Sequence, residues 1–286
     1  MTTDTLSTRD SQRLRSLIYK ECGIHLGAEK ELMLEARLRK LMRRVNLESL
    51  AEYCAYVFAG EGGPQELVRL IDAVTTNKTD FFRENRHFEF LTEGALPTLE
   101  RDYGAGSRSV LKVWSAGCST GEEPYTLAMV LSEYAAARQG YQFRLLATDI
   151  STAVLDQARR AVYKTEVVKP IATELRHKYM LRSKDHESPL YRIAPELRNL
   201  VEFRRLNLMD SDFGMTEPSD IIFCRNVIIY FDRQTRDGVL DRLTRQLRPG
   251  GFLFLGHSET LNGLDVPLTP VGPTVYRKQD HAAHHR

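Results

Sequence analysis

Residues 112–127 read KVWSAGCSTGEEPYTL, and the class of fold follows from this segment. Its apolar beginning ends at small residues and is followed by two glycines, Gly117 and Gly121. A predicted helix then starts at Glu122. Glycines allow the backbone to approach a ligand closely, and the first N–H groups of a helix are free to bind one. The segment therefore predicts a strand, a glycine loop and a helix start that together hold a nucleotide-like cofactor.

The carboxylates after the glycine loop restrict what that cofactor can be. Glu122 and Glu123 stand where a dinucleotide would place its pyrophosphate, and the like charges would repel each other. A ligand with ribose and ammonium groups fits better, and S-adenosylmethionine, which also carries a sulfonium, is such a ligand. We therefore predict that Gly117 and Glu123 contact S-adenosylmethionine. Two other interpretations remain open: the glycines serve only the turn, and the glutamates only favour the first helical turn through its dipole.

Short apolar runs separated by helices continue from about residue 108 onward. Four of these runs are predicted as buried strands: 110–114, 143–147, 221–224 and 252–256. Helices starting near Glu122 and Ser151 separate the first ones, which is typical of a parallel sheet with crossover helices. Residues 162–205 interrupt this rhythm, and we predict an insertion with antiparallel strands there. The predicted fold class is therefore α/β, with a mostly parallel Rossmann-like sheet and a small inserted β-subdomain.

The N-terminal third of the chain has a different pattern. Leu34, Leu38 and Leu41 recur at the spacing of one apolar helix face, and no strand-type alternation follows before residue 90. We predict an all-helical domain over residues 1–90 and a cofactor-binding domain over residues 91–280. The last six residues, 281–286, are predicted to be a disordered tail.

Composition limits the possible partners and compartments. The chain has 286 residues and a net charge of +2, so no global attraction to a polyanion is expected. Its apolar runs fall far short of the roughly 20 residues of a membrane span. The four cysteines are scattered and the N-terminus has no apolar core, which favours free thiols in a reducing compartment. We predict a cytoplasmic, monomeric protein without a metal site that binds no nucleic acid and does not insert into membranes.

Polar residues follow two further predicted strands. Asp149 ends the second strand, where an acidic side chain is placed to bind ribose hydroxyls; helix capping is the alternative. Asn226 and Tyr230 follow the strand 221–224, at the end where open α/β sheets bind ligands. Taken alone, each of these two residues could instead be a core residue whose polar groups are hydrogen-bonded within the protein.

The run TTNKTDFFRE at residues 75–84 is polar and rich in hydroxyl groups, then doubly aromatic, then charged. A helix cap is one interpretation, because Thr and Asn suit that position. Two adjacent Phe beside Arg83 instead indicate a segment that folds over a cleft between the two domains.

The predicted helix 31–45 has a basic side next to its apolar stripe. Arg37, Lys40 and Arg44 share this side through their spacing of three and four residues. A solvated basic face is the plain interpretation. Docking of an acidic helical partner is the functional one, and nucleic acid is a weaker candidate because the rest of the domain offsets this charge.

Taken together, these motifs resemble the bacterial chemotaxis receptor glutamate O-methyltransferases of the CheR type. The resemblance covers about residues 10–278 and is carried by TTNKTDFFRE, WSAGCSTGEEPY, ATDIS, the pair Asn207-Leu208, IIFCRNVIIYFD and the RPGG and FLFLGHSE runs. It implies a small helical domain joined to a class I S-adenosylmethionine domain with an inserted β-subdomain. It also implies methylation of glutamate side chains on cytoplasmic helices of chemoreceptors, which yields γ-glutamyl methyl esters and S-adenosylhomocysteine.

The resemblance also implies roles for individual residues. Those implied to contact the cofactor are Asn77, Thr79, Arg83, Glu123, Asp149, Asn207, Leu208, Arg225 and Asn226. Tyr230 and Arg83 are implied to lie beside the transferred methyl group as the catalytic pair. The basic helix, with Arg37, Lys40 and Arg44, is implied to dock the receptor helices.

One departure from the family concerns the β-subdomain. Members that tether to a C-terminal receptor pentapeptide carry glycines in a loop of this subdomain, whereas residues 182–189 read RSKDHESP. We therefore expect no such tether. Two alternatives to receptor methylation stay open: a methyltransferase for another acceptor, and a non-catalytic cofactor-sensing or scaffold protein of a signalling array.

Overall fold

The computed structural model describes residues 4–185, 187–261, 264 and 266–280. The predicted disordered tail 281–286 lies outside these residues. Within the described part of the chain, no helix is both long and apolar enough to cross a membrane.

Four helices form the N-terminal domain: α1 (Thr8–Cys22), α2 (Glu31–Arg44), α3 (Leu50–Ala59) and α4 (Gly63–Val74), with a 3₁₀ turn over Ala28–Lys30. Ser7 and Ser49 cap α1 and α3, since each hydroxyl accepts an N–H three residues further on. The apolar faces of the helices meet in one core, where Leu14, Leu34 and Tyr53 are fully buried. The predicted all-helical domain is confirmed.

The boundary between the domains lies near residue 75, so the predicted boundary at 90 is wrong. Helices α5 (Arg86–Phe90) and α6 (Leu96–Tyr103) are joined by a π-helical turn over Leu91–Ala95. Phe88 and Leu99, on these helices, belong to the core of the second domain. Helical periodicity shows that a segment is a helix, but it does not show on which core the helix packs.

The second domain follows a strand–helix pattern. Its strands are β1 (Leu111–Ala116), β2 (Phe143–Asp149), β3 (Val162–Lys164), β4 (Met180–Arg182), β5 (Leu190–Ile193), β6 (Val201–Arg205), β7 (Ser219–Cys224), β8 (Leu247–Leu255), β9 (Leu268–Gly272) and β10 (Val275–Lys278). Its further helices are α7 (Glu122–Ala136), α8 (Thr152–Arg160), α9 (Thr165–Val168), α10 (Thr173–Tyr179), α11 (Pro195–Arg198) and α12 (Arg233–Gln246).

Seven of these strands form one sheet in the order β6-β2-β1-β7-β8-β10-β9. The first five run parallel, and β10 is antiparallel to both of its neighbours. The strand order reverses between β1 and β7, and open sheets of this type bind ligands in the crevice at the carboxyl ends of such strands. The four predicted strands correspond to β1, β2, β7 and β8, and the mostly parallel sheet is confirmed.

The insertion is smaller than predicted. A three-stranded antiparallel sheet, in the order β3-β5-β4, ends at Ile193. Val201–Arg205, which the sequence analysis assigned to the insertion, is instead β6, an edge strand of the large sheet that pairs in parallel with β2. The predicted end of the insertion at 205 is therefore wrong. A short strand between polar residues has the same local pattern in either sheet, so only its pairing distinguishes the two.

Candidate functional site

A cleft of about 920 Å³ opens at the carboxyl ends of β1, β2 and β7, between the two domains. Every residue predicted to contact the cofactor lines it, as does Tyr230. Cys22 and Ile24 of the helical domain and Thr75 of the connecting segment also line it. The structure thus brings the predicted residues together in one place, and their individual roles remain predictions.

The glycine loop passes close to the opposite wall of the cleft. Gly117 has φ +80°, and a Cβ there would lie 2.4 Å from Cγ2 of Val227. The N–H groups of Gly117 and Cys118 both donate to the carbonyl oxygen of Thr148, at 2.8 and 2.9 Å. A side chain at 117 would therefore strain the backbone and meet Val227, so the loop needs glycine here for its own geometry.

Glu123 lies at the first turn of α7 and is buried. Its Oε1 accepts a hydrogen bond from Ser115 Oγ, and its Oε2 accepts one from Arg225 Nε, both at 2.7 Å. These bonds fix the carboxylate on the cleft wall. Glu122 and Glu123 both lie in the first turn of α7, and a phosphate placed beside them would be repelled.

Asp149 ends β2 and accepts backbone hydrogen bonds from both sides of the cleft edge. Its Oδ2 accepts the N–H of Ser119 at 2.8 Å and its Oδ1 accepts the N–H of Ser151 at 2.9 Å, so it braces the glycine loop and the start of α8. Burial raises the pKa of Asp149, and the backbone hydrogen bonds oppose that shift. A carboxylate has about four lone-pair sites, so two bonds leave capacity for ribose hydroxyls on the cleft side.

Several residues of the segment 75–84 line the cleft. Phe81 is buried in the core of the sheet domain, where its ring meets that of Tyr163 at a centroid distance of 5.0 Å. The carbonyl oxygen of Asn77 accepts a hydrogen bond from Ser119 Oγ at 2.9 Å. Phe82 and Glu84 have φ values of 54° and 57°, the left-handed region that is uncommon for such residues. Contacts of this segment with the sheet domain hold it in that conformation.

Tyr230 lies on a 3₁₀ turn over Ile228–Tyr230, and this turn is fixed from two sides. The N–H of His25 in the helical domain donates to the carbonyl oxygen of Tyr230 at 2.9 Å. Glu259 is buried beneath the turn, and the N–H groups of Asn226 and Ile228 donate to its carboxylate at 2.8 and 2.9 Å. Burial raises the pKa of Glu259, and these N–H groups oppose that shift. Both domains therefore position Tyr230.

Glu259 is a residue that the sequence analysis missed. It lies in the FLFLGHSE run, which was used for the resemblance but without a role for its acidic end. A carboxylate three residues after the glycine that follows an apolar strand was the available signal, because a buried carboxylate needs N–H donors nearby.

Two of the three basic side chains on α2 are bound to other parts of the helical domain, which their spacing alone did not indicate. Nη1 of Arg37 donates to the carbonyl oxygens of Val74 and Thr75, at 2.6 and 2.9 Å, and so binds the end of α4. Arg44 pairs with the buried Glu66 at 2.8 Å. The Lys40 side chain is exposed and has no ion-pair partner among the described residues. All three still border one groove of about 890 Å³ between α2 and α4, together with Arg69.

The donor set of the cleft fits S-adenosylmethionine. One carboxylate follows β1 and another ends β2, which suits an ammonium group and ribose hydroxyls and disfavours phosphates. A doubly wound sheet with this acidic cleft at its carboxyl ends defines the class: an S-adenosylmethionine-dependent methyltransferase of class I.

Comparisons with known proteins give the family. The family model described as the CheR methyltransferase all-alpha domain matches residues 9–75, and the one described as the CheR methyltransferase SAM binding domain matches residues 77–276. The chain belongs to the CheR methyltransferase family and binds S-adenosylmethionine.

Several relatives match almost end to end. A chemotaxis protein methyltransferase of Borreliella burgdorferi is 38% identical over 273 residues, which cover 95% of this chain and 95% of the relative. Chemotaxis protein methyltransferase 2 of Pseudomonas aeruginosa is 39% identical, with 93% and 92% covered. The chemotaxis protein methyltransferase of Salmonella typhimurium is 37% identical, with 95% and 90% covered.

Proposed function

We propose that the protein methylates glutamate side chains on the cytoplasmic helices of chemoreceptors and forms their γ-methyl esters. The observation that carries this proposal is the meeting of Arg83 and Tyr230 with the acidic cofactor wall in one cleft between the two family domains. The proposal places the protein in the cytoplasm, where those receptor helices lie.

The proposed acceptor needs no general base. A glutamate side chain has an ordinary pKa of about 4.3, so it is already a carboxylate at neutral pH. When bound, S-adenosylmethionine supplies an electrophilic methyl group whose transfer to a carboxylate requires no proton. The buried His87 is 2% exposed, and it is held by Thr274 and Arg225 rather than turned toward the acceptor.

The residues of the cleft divide between holding the cofactor and orienting the acceptor. Glu123 and Asp149 would hold its ammonium and ribose groups through carboxylates that are already fixed by hydrogen bonds. Arg83 is partly exposed at the cleft, and its Nη1 donates to the carbonyl oxygen of Lys78 at 3.1 Å. Its remaining N–H groups would orient the incoming carboxylate, and the Tyr230 hydroxyl would donate near the reacting oxygen. Alignment of this kind accelerates a reaction mainly through proximity.

The groove between α2 and α4 would dock the acidic receptor helices. Arg37, Lys40, Arg44 and Arg69 border it. Glu66 is buried and paired with two of these arginines, so it offsets only part of their charge. The exposed Lys40 is the side chain most free to meet an acidic partner.

The test is transfer of labelled methyl groups from S-adenosylmethionine to purified receptor cytoplasmic fragments. We expect base-labile label on receptor glutamates, and loss of that label when the glutamates are replaced by Ala. The Arg83→Ala variant, which lacks the side chain proposed to orient the acceptor, should transfer little label. Label that is base-stable, or label that appears on nucleic acid or a small molecule instead, would support another methyltransferase. Cofactor binding without any transfer would support the sensing or scaffold alternative.

A further inference from the structure

Arg225 is a buried guanidinium whose neighbours extend beyond the cofactor cleft. Its side chain is 2% exposed, and its Nε donates to Glu123 Oε2 at 2.7 Å. Its Nη1 donates to the backbone carbonyl oxygen of Arg83 at 2.7 Å and lies 3.2 Å from Nδ1 of His87. The rings of Phe88 and Phe223 flank it, with centroids 5.3 and 5.7 Å from the guanidinium carbon. One side chain therefore joins the cofactor wall to the backbone of the residue that faces the acceptor.

The protonation of His87 follows from this contact. A guanidinium has no acceptor, so Nδ1 of His87 accepts the hydrogen bond and the ring proton is on Nε2. That Nε2 lies 3.0 Å from Thr274 Oγ1 and 3.3 Å from the carbonyl oxygen of Pro273, which accept it at the β9–β10 turn. Burial and the charge of Arg225 lower the pKa of His87 to about 4, so the ring is neutral at physiological pH.

Glu84 places a second carboxylate beside Arg225. Its Oε2 is buried and makes no hydrogen bond within the described residues. It lies 3.5 Å from Arg225 Nη1, 3.5 Å from His87 Nδ1 and 4.0 Å from His257 Nε2. These oxygen and nitrogen atoms are close enough to suggest a metal site. However, the Arg225 guanidinium already lies against two of them, and its charge disfavours a metal cation in the same place.

We propose that Glu84 and His87 are positioning residues of the methyl-transfer site, which fix Arg225 and through it both Arg83 and Glu123. Glu84 balances the buried charge of Arg225, and His87 accepts one of the two Nη1 hydrogens so that the other is directed to the Arg83 carbonyl. Held in this way, Arg83 keeps its place although its neighbours Phe82 and Glu84 have left-handed backbone conformations. This proposal concerns the same site as the proposed function. It rests on that function only for the identity of the acceptor.

The test compares variants that keep or remove the acceptor at position 87. In His87→Asn an amide oxygen replaces Nδ1, whereas His87→Leu has a similar volume and no acceptor. We expect His87→Leu to lower kcat for receptor methylation about tenfold or more, because a misplaced reacting group is costly, and to weaken S-adenosylhomocysteine binding about threefold. His87→Asn should stay within about threefold of the wild type in both quantities. The exposed His177 on α10 provides the control, and His177→Leu should change neither.

Two further measurements keep the proposal testable if one variant does not fold. Glu84→Gln keeps the shape of the side chain and should also lower kcat about tenfold. The ¹⁵N shifts of His87 in the wild-type protein should show a neutral ring with its proton on Nε2. If the wild type does not methylate receptors, the proposed function fails, and the cofactor affinities of the Asn and Leu variants still decide this proposal. Equal losses in those two variants, a folded Leu variant with unchanged kcat and affinity, or a proton on Nδ1 would overturn it.

Discussion

The buried Arg225 and the exposed basic side of α2 differ in what their positive charges do. Burial is the cause of this difference. Arg225 is enclosed and bound to Glu123 and to the Arg83 carbonyl, so its charge is compensated inside the protein. Arg44 on α2 is 43% exposed in its side chain, and water screens its pairing with Glu66. The buried charge fixes geometry, and the exposed charges are available to a partner.

The two regions therefore respond differently to salt and to substitution. Removal of a buried charge leaves its partners unpaired in a low-dielectric environment, which is costly. Exposed charges contribute mainly to encounter with a charged partner, and that contribution falls with ionic strength.

The largest effect is expected for Arg225→Leu. The substitution leaves the carboxylates of Glu123 and Glu84 buried without their cation, and it should lower the free energy of unfolding by about 3–5 kcal/mol. Chemical denaturation at pH 7.5 measures this loss, and methyl transfer should fall below detection. Arg225→Lys keeps the charge but not the directed hydrogen bonds, so it should recover more stability than activity. A Lys variant with full activity would show that only the charge of Arg225 matters.

The next effect is a pH dependence of stability that comes from His87. Its folded-state pKa of about 4 lies below the unfolded value of about 6.5, so the unfolded chain binds more protons between these pH values. The His87 contribution is fully present above pH 6.5 and is lost as pH falls toward 4. The total amounts to about 3 kcal/mol. Unfolding of wild type and His87→Asn across this range isolates it, and parallel stability curves would contradict the assignment.

Substitutions at two residues of the cleft should affect cofactor binding and turnover separately. Asp149→Ala removes the carboxylate at the end of β2 and should weaken S-adenosylhomocysteine binding about 30-fold, an effect of about 2 kcal/mol. Tyr230→Phe keeps the ring and removes the hydroxyl, so it should lower kcat about tenfold and leave cofactor affinity nearly unchanged. Calorimetric titration and initial rates measure the two quantities. An equal loss of cofactor affinity in both variants would contradict this division of roles.

The sequence predicted which residues line the cleft better than it predicted the boundaries of the domains. The residues around Gly117, Asp149 and Asn226 were predictable because chain order places them at the carboxyl ends of neighbouring parallel strands. The domain boundary was not, because α5 and α6 have helical patterns that do not reveal which core they join. The strand β6 was assigned to the insertion for a similar reason, since its pairing with β2 is a long-range contact.

The sequence pattern also could not predict contacts between residues that are far apart in the chain. Arg37 looked like part of a free basic face, yet it binds the end of α4, 37 residues away. Glu84 and His87 lie in or beside a motif that was recognised, but their partner Arg225 is more than 130 residues further along the chain. Periodicity shows which side chains share a face, and it does not show what that face meets.

The smallest effect is expected on the exposed side of the comparison. Lys40→Ala should raise the KM for receptor fragments about threefold at low salt and leave kcat and cofactor affinity unchanged, since an exposed charge pair contributes less than about 1 kcal/mol. The difference from wild type should shrink as ionic strength rises, because salt screens an exposed charge that docks an acidic helix. Lys20→Ala, in the last turn of α1, is the matched exposed control and should not change the KM. A KM effect of Lys40→Ala that is independent of salt would mean that Lys40 acts through packing, and the division between buried and exposed charges would then not extend to this groove.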